Sequence, residues 1–294
     1  MSEAYDSNQI TRDYFDSLLV ETRYIGADLP STEFEIWGKK YDMPIATAAL
    51  SHLHNVCENG MSEFALGAKN ANALCFIGMG ENIDLEEMAA TGADIVRIIK
   101  PHENNEVVFT KIEHAIKTGA VAVGMDIDHA FTGNGKYDVV CGLPMKPKSL
   151  EEMKEFVAAS SVPFVVKGVL SVHDAVKSVE AGASAIIVSH HHGIMPYSIP
   201  PLMVLPEIVK EVGKDLKIFV DCGIESGMDV FKALALGADA VCVGRDLMEA
   251  LKAGNKGVTD RMIQMNNELR SIIGRTGAKS LNDIDPSVIW KRNF

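Results

Sequence analysis

No apolar run in this chain approaches the roughly 18 residues of a membrane-spanning helix. No biased tract or linker interrupts it, and no basic run offsets its formal net charge of −12. A nucleic acid or an anionic membrane surface would repel such a chain on average, so neither is an expected partner. A local basic pocket for a phosphorylated small molecule remains compatible with that charge. Cysteine is sparse: Cys57, Cys75, Cys141, Cys222 and Cys242 are odd in number and form no CxxC pair. That argues against a cysteine metal site and fits a reducing compartment, with Cys75 and Cys242 reading as small buried hydrophobes. The N-terminal MSEAYDSNQITRDYF is polar and acidic, unlike a signal or transit peptide. A cytoplasmic location is the expectation.

What remains is a chain of 294 residues, 47% hydrophobic and 23% charged, able to bury a sizeable core. Short apolar runs alternate with amphipathic helical segments. IATAAL, ALCFIGM, DIVRIIK, AVAVGMDID, PFVVKGV, SAIIVSHHHG, KIFVDCGI and DAVCVGRD read as eight strands of a buried parallel sheet. SLEEMKEFVAASS opens with Ser149 and Glu152 at capping-box spacing. Eight strands with eight helical layers predict an α/β fold, a single (β/α)8 TIM barrel, at a length near the usual 250 or so residues plus extensions. One domain is expected over 1–294. Residues 1–42 would be an N-terminal cap, with a helix TRDYFDSLLVETRYI and a strand pair FEIWGKKYD covering the barrel bottom. Residues 130–148, rich in turn formers, would be an excursion suited to an active-site lid.

In such barrels ligands gather where the strands end. Here four consecutive ends carry Lys167, then Ser189 and His190 to Gly193, then Asp221 to Gly223, then Gly244 and Arg245. Gly223 and Gly227 flank a tight loop entering a helix, and Gly244 with Arg245 repeats the device. Free backbone N–H groups in the last two loops make a common phosphate site, which Arg245 would help neutralise. Three adjacent histidines resemble a metal tract, but consecutive side chains alternate in direction and rarely all reach one ion. A mixed site with Asp126, Asp128 and His129 is the metal alternative; no metal is expected. His52, His54 and His102 also fall at strand ends.

VVKGV, AGASAIIVSHHHG, LPEIVKEVG and VDCGIESGMDVFKALALGADAVCVGRD together resemble the FMN-dependent 2-hydroxy-acid oxidase and dehydrogenase family. The likeness is close from about residue 161 to 284 and looser back to Met43. It implies FMN at the barrel mouth and oxidation of a small hydroxylated substrate. Lys167 matches the family's flavin-facing lysine, and His191, within the segment Ser189 to Ile194, its proton-abstracting histidine, with His190 or His192 in that role if the match shifts by one residue. Asp128 matches the carboxylate that orients that histidine. Asp221 and Gly223 match a D-G-G motif whose middle glycine is Cys222 here, and Gly244 with Arg245 the phosphate-binding pair. Ala48, Ala49 and Leu50 would supply backbone contacts to the flavin.

The chain also departs from the family pattern. Ile194 stands in place of the arginine for the substrate carboxylate, and the partner arginine maps near Gly135. Lys100 replaces a tyrosine, Ile98 a glutamine, Asp126 a threonine and Glu225 an arginine. Lys100 and His192 are the candidate substrate contacts. One alternative is a flavin-dependent isomerase like the type 2 isopentenyl-diphosphate isomerases, against which the Asp128–His191 pair argues. Another is a barrel that has lost FMN and takes a metal or a phosphorylated ligand. The electron acceptor is expected to be oxygen, a quinone or a separate carrier, and the resemblance implies a homo-oligomer, a tetramer in many relatives.

Overall fold

Each of the eight apolar runs forms a strand, because β-branched and small residues buried on both faces suit a parallel sheet covered by helices. The computed structural model describes residues 6–292. Its barrel strands are β1 (Ile45–Thr47), β2 (Cys75–Ile77), β3 (Ile95–Ile99), β4 (Ala122–Asp126), β5 (Phe164–Val169), β6 (Ala185–Val188), β7 (Lys217–Val220) and β8 (Ala240–Val243). Neighbours follow chain order, and β8 pairs in parallel with β1. The ring closes between β1 and β2 through a parallel bridge of Leu50 with Ile77. Thr47 N–H also donates to Leu74 O at 3.1 Å. The result is a (β/α)8 barrel.

The period-two alternation of each strand divides the core into two bodies. Phe76, Val96, Ile98, Val165, Ile187, Phe219 and Cys242 fill the barrel, with Phe76 and Phe219 edge to face at 5.2 Å. Ile77, Ile99, Val123, Val166, Ile186 and Val220 face outward onto the helices. Each such Phe, Ile or Val contributes about 1.5–3 kcal/mol by leaving water. The antiparallel pair Phe34–Ile36 with Lys39–Tyr41 supplies Phe34, Ile36 and Tyr41 to the inner body, so it plugs the barrel floor as expected.

Helices alternate with the strands, and the serine caps act as read. Ser149 and Glu152 form both bonds of a capping box at the start of Leu150–Ala159. Ser171 and Ser226 cap Val172–Glu180 and Gly227–Ala235. The excursion after β4 is a folded flap, with Val139–Val140 paired to Leu143–Pro144 and Met145 fully buried.

The N-terminal helix differs from expectation in extent and place. It spans Ser7–Ser17, here α1, and stops where Leu18–Val20 become extended and pair with Ile289–Lys291. Tertiary pairing here overrides the helical tendency of the residues beyond Ser17. Nor does α1 join the floor. Its buried stripe, Ser7, Thr11 and Phe15 at four-residue intervals, packs against the loops that leave β6 and β7 and against the helix Gly227–Ala235, whose Lys232 donates to Phe15 O.

Candidate active site

Asp126 ends β4 and Lys167 lies opposite it in register on β5. Lys167 Nζ donates to Asp126 Oδ1 at 3.1 Å, and Lys100, just after β3, donates to Asp126 Oδ2 at 2.6 Å. All three are buried, and buried charges persist only when paired. Burial alone would raise the Asp126 carboxyl, but Lys167, Lys100 and His191 outweigh it and hold it well below its ordinary value. Burial likewise pulls Lys167 down, yet Asp126, Asp128 and Asp221 overcome it and keep the ammonium charged.

His191 follows β6 on a turn where three successive residues have left-handed backbone, His191 at φ 49°, His192 at 56° and Gly193 at 77°. For a residue with a Cβ that conformation is unfavourable and persists only when its surroundings hold it. His191 N–H donates to Ser189 Oγ at 3.0 Å. Its Nδ1 lies 2.9 Å from Asp128 Oδ1, 3.3 Å from Asp126 Oδ1 and 3.4 Å from Lys167 Nζ. An ammonium only donates, so the Nδ1 proton points to carboxylate and Nε2 is left as the basic nitrogen. Burial and Lys167 depress His191, and the two carboxylates prevail, raising it above 6.5.

Beside His191 is a cavity of about 310 Å³, within the usual size of a cofactor site. Ala48, Ala49 and Leu50 line it, as do Lys167, His191, His192, Asp221 and Gly223, together with Gly244 and Arg245. Cys222 also lines it, at φ 72°, its thiol pushed up to about 11 by burial and by Asp221. Eight of the nine residues expected to touch FMN therefore border one space. Ser189 does not: it is buried behind the wall, between His191 N–H and Asp221.

The space suits the flavin. A Cβ built on Gly244 would stand 3.4 Å from Ala48 Cβ and 3.9 Å from Leu50 Cδ2, so the missing side chain is part of the opening. Arg245 is exposed and donates to the neutral Asn8 Oδ1 at 3.4 Å, with no ion-pair partner among the described residues, so its charge is available to a phosphate. Glu225, which stands where the family has an arginine, also borders this cavity; its side chain is exposed, and its backbone carbonyl accepts from Arg261.

Other candidates lie elsewhere. Lys100 is off the cavity wall, behind Asp126. His192 is on the wall, its Nδ1 2.7 Å from Asn8 Oδ1. His190 points away and meets Thr11. His52 and His54 stack edge to face in solvent. His102 is buried with neither ring nitrogen bonded among the described residues, and burial, then Lys111, Lys148 and Lys100, push it down to about 4. Asp126, Asp128 and His191 bring one ligand atom each within 4.8 Å of one another, but the ammoniums of Lys100 and Lys167 already occupy Asp126 and would repel a metal cation. His129 stays outside that set, with Nδ1 2.8 Å from Asp138 Oδ2.

Asn8, Thr11 and Arg12 of α1 were not singled out in the sequence. Asn8 meets His192, Thr11 meets His190, and Arg12 clasps Asp229 while donating to Gly223 O at 3.3 Å. Nothing local marks them, because Thr11 and His190 are 179 residues apart.

The FMN-dependent dehydrogenase model matches residues 2–155 and 146–291. The 4-hydroxymandelate oxidase of Amycolatopsis orientalis is 29% identical over 85% of this chain and 80% of its own length. The 2-hydroxyacid oxidase 1 of Homo sapiens is 26% identical over 87% and 80%. A solved mandelate oxidase variant carrying a monooxide FMN adduct is 30% identical, with a TM-score of 0.87 over 95% of this chain and 90% of that one. Sequence match and barrel geometry agree, and this chain belongs to the FMN-dependent dehydrogenase family, an oxidoreductase with FMN as its cofactor.

Proposed function

We propose that the protein oxidises a small 2-hydroxy acid to the 2-oxo acid, with His191 as the base. The observation that carries this is the imidazole on the cavity wall, its Nδ1 pinned 2.9 Å from Asp128 and its Nε2 left to accept a proton. FMN, when bound, supplies the acceptor for the hydride that leaves the hydroxyl-bearing carbon. His191 takes the hydroxyl proton, and the imidazolium so formed is stabilised by Asp128 and Asp126. Among the described residues Asp128 Oδ2 has no partner, and the imidazole is the side chain its carboxylate bonds.

Ala48, Ala49, Leu50, Lys167, Asp221, Gly223, Gly244 and Arg245 would hold the cofactor, Ser189 acting through Asp221 and the His191 backbone. Lys167 would hold positive charge beside the ring. Of the two proposed substrate contacts, His192 borders the cavity directly, whereas Lys100 would act through Asp126. The flap over 130–148 would cover the mouth. It begins beside the site, where the His129 ring lies edge-on to His191 at 5.1 Å. Relatives described as 2-hydroxyacid and mandelate oxidases support the substrate class.

The test is anaerobic titration of the yellow protein with lactate, glycolate and mandelate. Bleaching of the flavin band by at least one is the expected result. No bleaching by any would overturn the oxidase reading in favour of an isomerase, and failure to take up FMN would overturn the cofactor assignment as well. Homo-oligomerisation in the cytoplasm is part of the same proposal, checked by light scattering and by fractionation. Whether oxygen, a quinone or a separate carrier reoxidises the flavin is read by supplying each in turn.

A further inference from the structure

The turn that presents His191 needs something to hold it. His191 and His192 both adopt left-handed backbone, an arrangement that relaxes unless fixed from outside. The residue before them is the anchor. His190 is 2% exposed, and its two ring nitrogens are both engaged. Gly193 N–H is shared between His190 Nδ1 at 2.9 Å and His190 O at 3.0 Å, and with Ile194 N–H, which donates to the same carbonyl at 3.1 Å, it closes the turn on itself. A nitrogen that receives an N–H carries a lone pair, so the ring proton sits on Nε2. That Nε2 lies 2.8 Å from Thr11 Oγ1, and Thr11 is fully buried.

We propose that Thr11 is a positioning residue for the oxidation. Its hydroxyl accepts the Nε2 proton of His190, fixes the tautomer that receives Gly193 N–H, and so holds the strained turn on which His191 meets the substrate. This rests on His191 being the base. The chain of contacts runs from α1 to Thr11, to His190, to Gly193 and the turn. Ser7 reinforces it from the same face of α1, its Oγ donating to Met195 O at 2.7 Å and accepting Ser198 N–H at 2.9 Å. The N-terminal helix is thereby a working part of the active site.

Thr11→Val keeps the shape and removes the acceptor, leaving a buried N–H unpaired. The expected result is a fall of about tenfold or more in kcat, with kcat/KM falling in parallel and FMN affinity unchanged. Thr11→Ser restores the hydroxyl and should recover kcat to within about twofold of the parent. An unchanged kcat in Thr11→Val, or a Thr11→Ser as slow as Thr11→Val, overturns the proposal. Nitrogen NMR of the imidazoles in the parent protein tests the placement without turnover, and independently of whether Thr11→Val folds. A slowly exchanging His190 Nε2–H supports it, and an Nδ1–H tautomer overturns it. Failure of every hydroxy acid to bleach the parent flavin would instead remove the role of His191 while leaving the tautomer result to stand by itself.

Discussion

Gly168 and Asp128 cannot both carry a Cβ in this structure. A Cβ built on Gly168 would lie 2.5 Å from Asp128 Cγ and 2.6 Å from its Oδ2, far inside contact distance. Gly168 also sits at φ 88° on an irregularity of β5 between Lys167 and Val169. The VKGV motif therefore does two jobs: its lysine faces the cavity and its glycine makes the seat for the carboxylate that holds His191.

Replacing Gly168 by alanine should displace Asp128 and strain the backbone, destabilising the fold by about 1–3 kcal/mol. Activity should fall further than stability, because His191 loses its partner while the flavin wall stays in place. Chemical denaturation read beside the flavin absorbance and kcat separates the two effects; a variant with parental kcat would refute the seat.

Asp126→Asn leaves Lys100 and Lys167 buried without their shared counter-charge. Breaking such a pair typically destabilises by about 3–5 kcal/mol, measurable as a lower denaturation midpoint at neutral pH. The sign of the pH dependence follows from the depressed carboxyl. The contribution of Asp126 is fully present above the ordinary 3.8 and is lost as the pH falls toward the lower value of the folded protein. In the asparagine variant that part of the acid sensitivity should vanish.

His191 must be neutral to accept a proton, and its surroundings raise it above 6.5. The log of kcat/KM should thus climb with pH through a value above 6.5 before levelling. Asp128→Asn removes one of the two carboxylates that raise it, so the climb should move to lower pH, with kcat reduced about 10²- to 10⁴-fold. A pH profile unmoved by this change would show that Asp128 is not the electrostatic partner.

Arg245 is a cation on the cavity wall, beside Gly244 in sequence. Removing one charge-assisted contact weakens binding by about 1.5–3 kcal/mol, so Arg245→Ala should raise the FMN dissociation constant by about tenfold to a hundredfold. Fluorescence quenching of free FMN on reconstitution measures it. Affinity within about twofold of the parent would place the phosphate elsewhere.

Strand alternation is local, and it was enough to place most of the barrel and the rim that bears the chemistry. A period of two sends Lys167 and Asp221 inward as surely as it sends Val166 and Val220 outward, because consecutive side chains on a strand leave opposite faces. The resemblance then identified His191 and Asp128, and the structure brings them together. The lone helix at the N-terminus was harder, since the extent of α1 depends on Leu18–Val20 finding Ile289–Lys291 at the far end of the chain.

By itself, then, the order of residues determined the eight strands, the inward and outward faces, and the set of groups gathered at one end, all consequences of short-range periodicity. Only the folded chain decided that Asp126 is shared by two lysines, that Ser189 and Lys100 stand behind the cavity wall, and that α1 braces the turn of His191. Those are distances between segments far apart in sequence, set by closure of the barrel and by packing on its rim, and no local pattern encodes them.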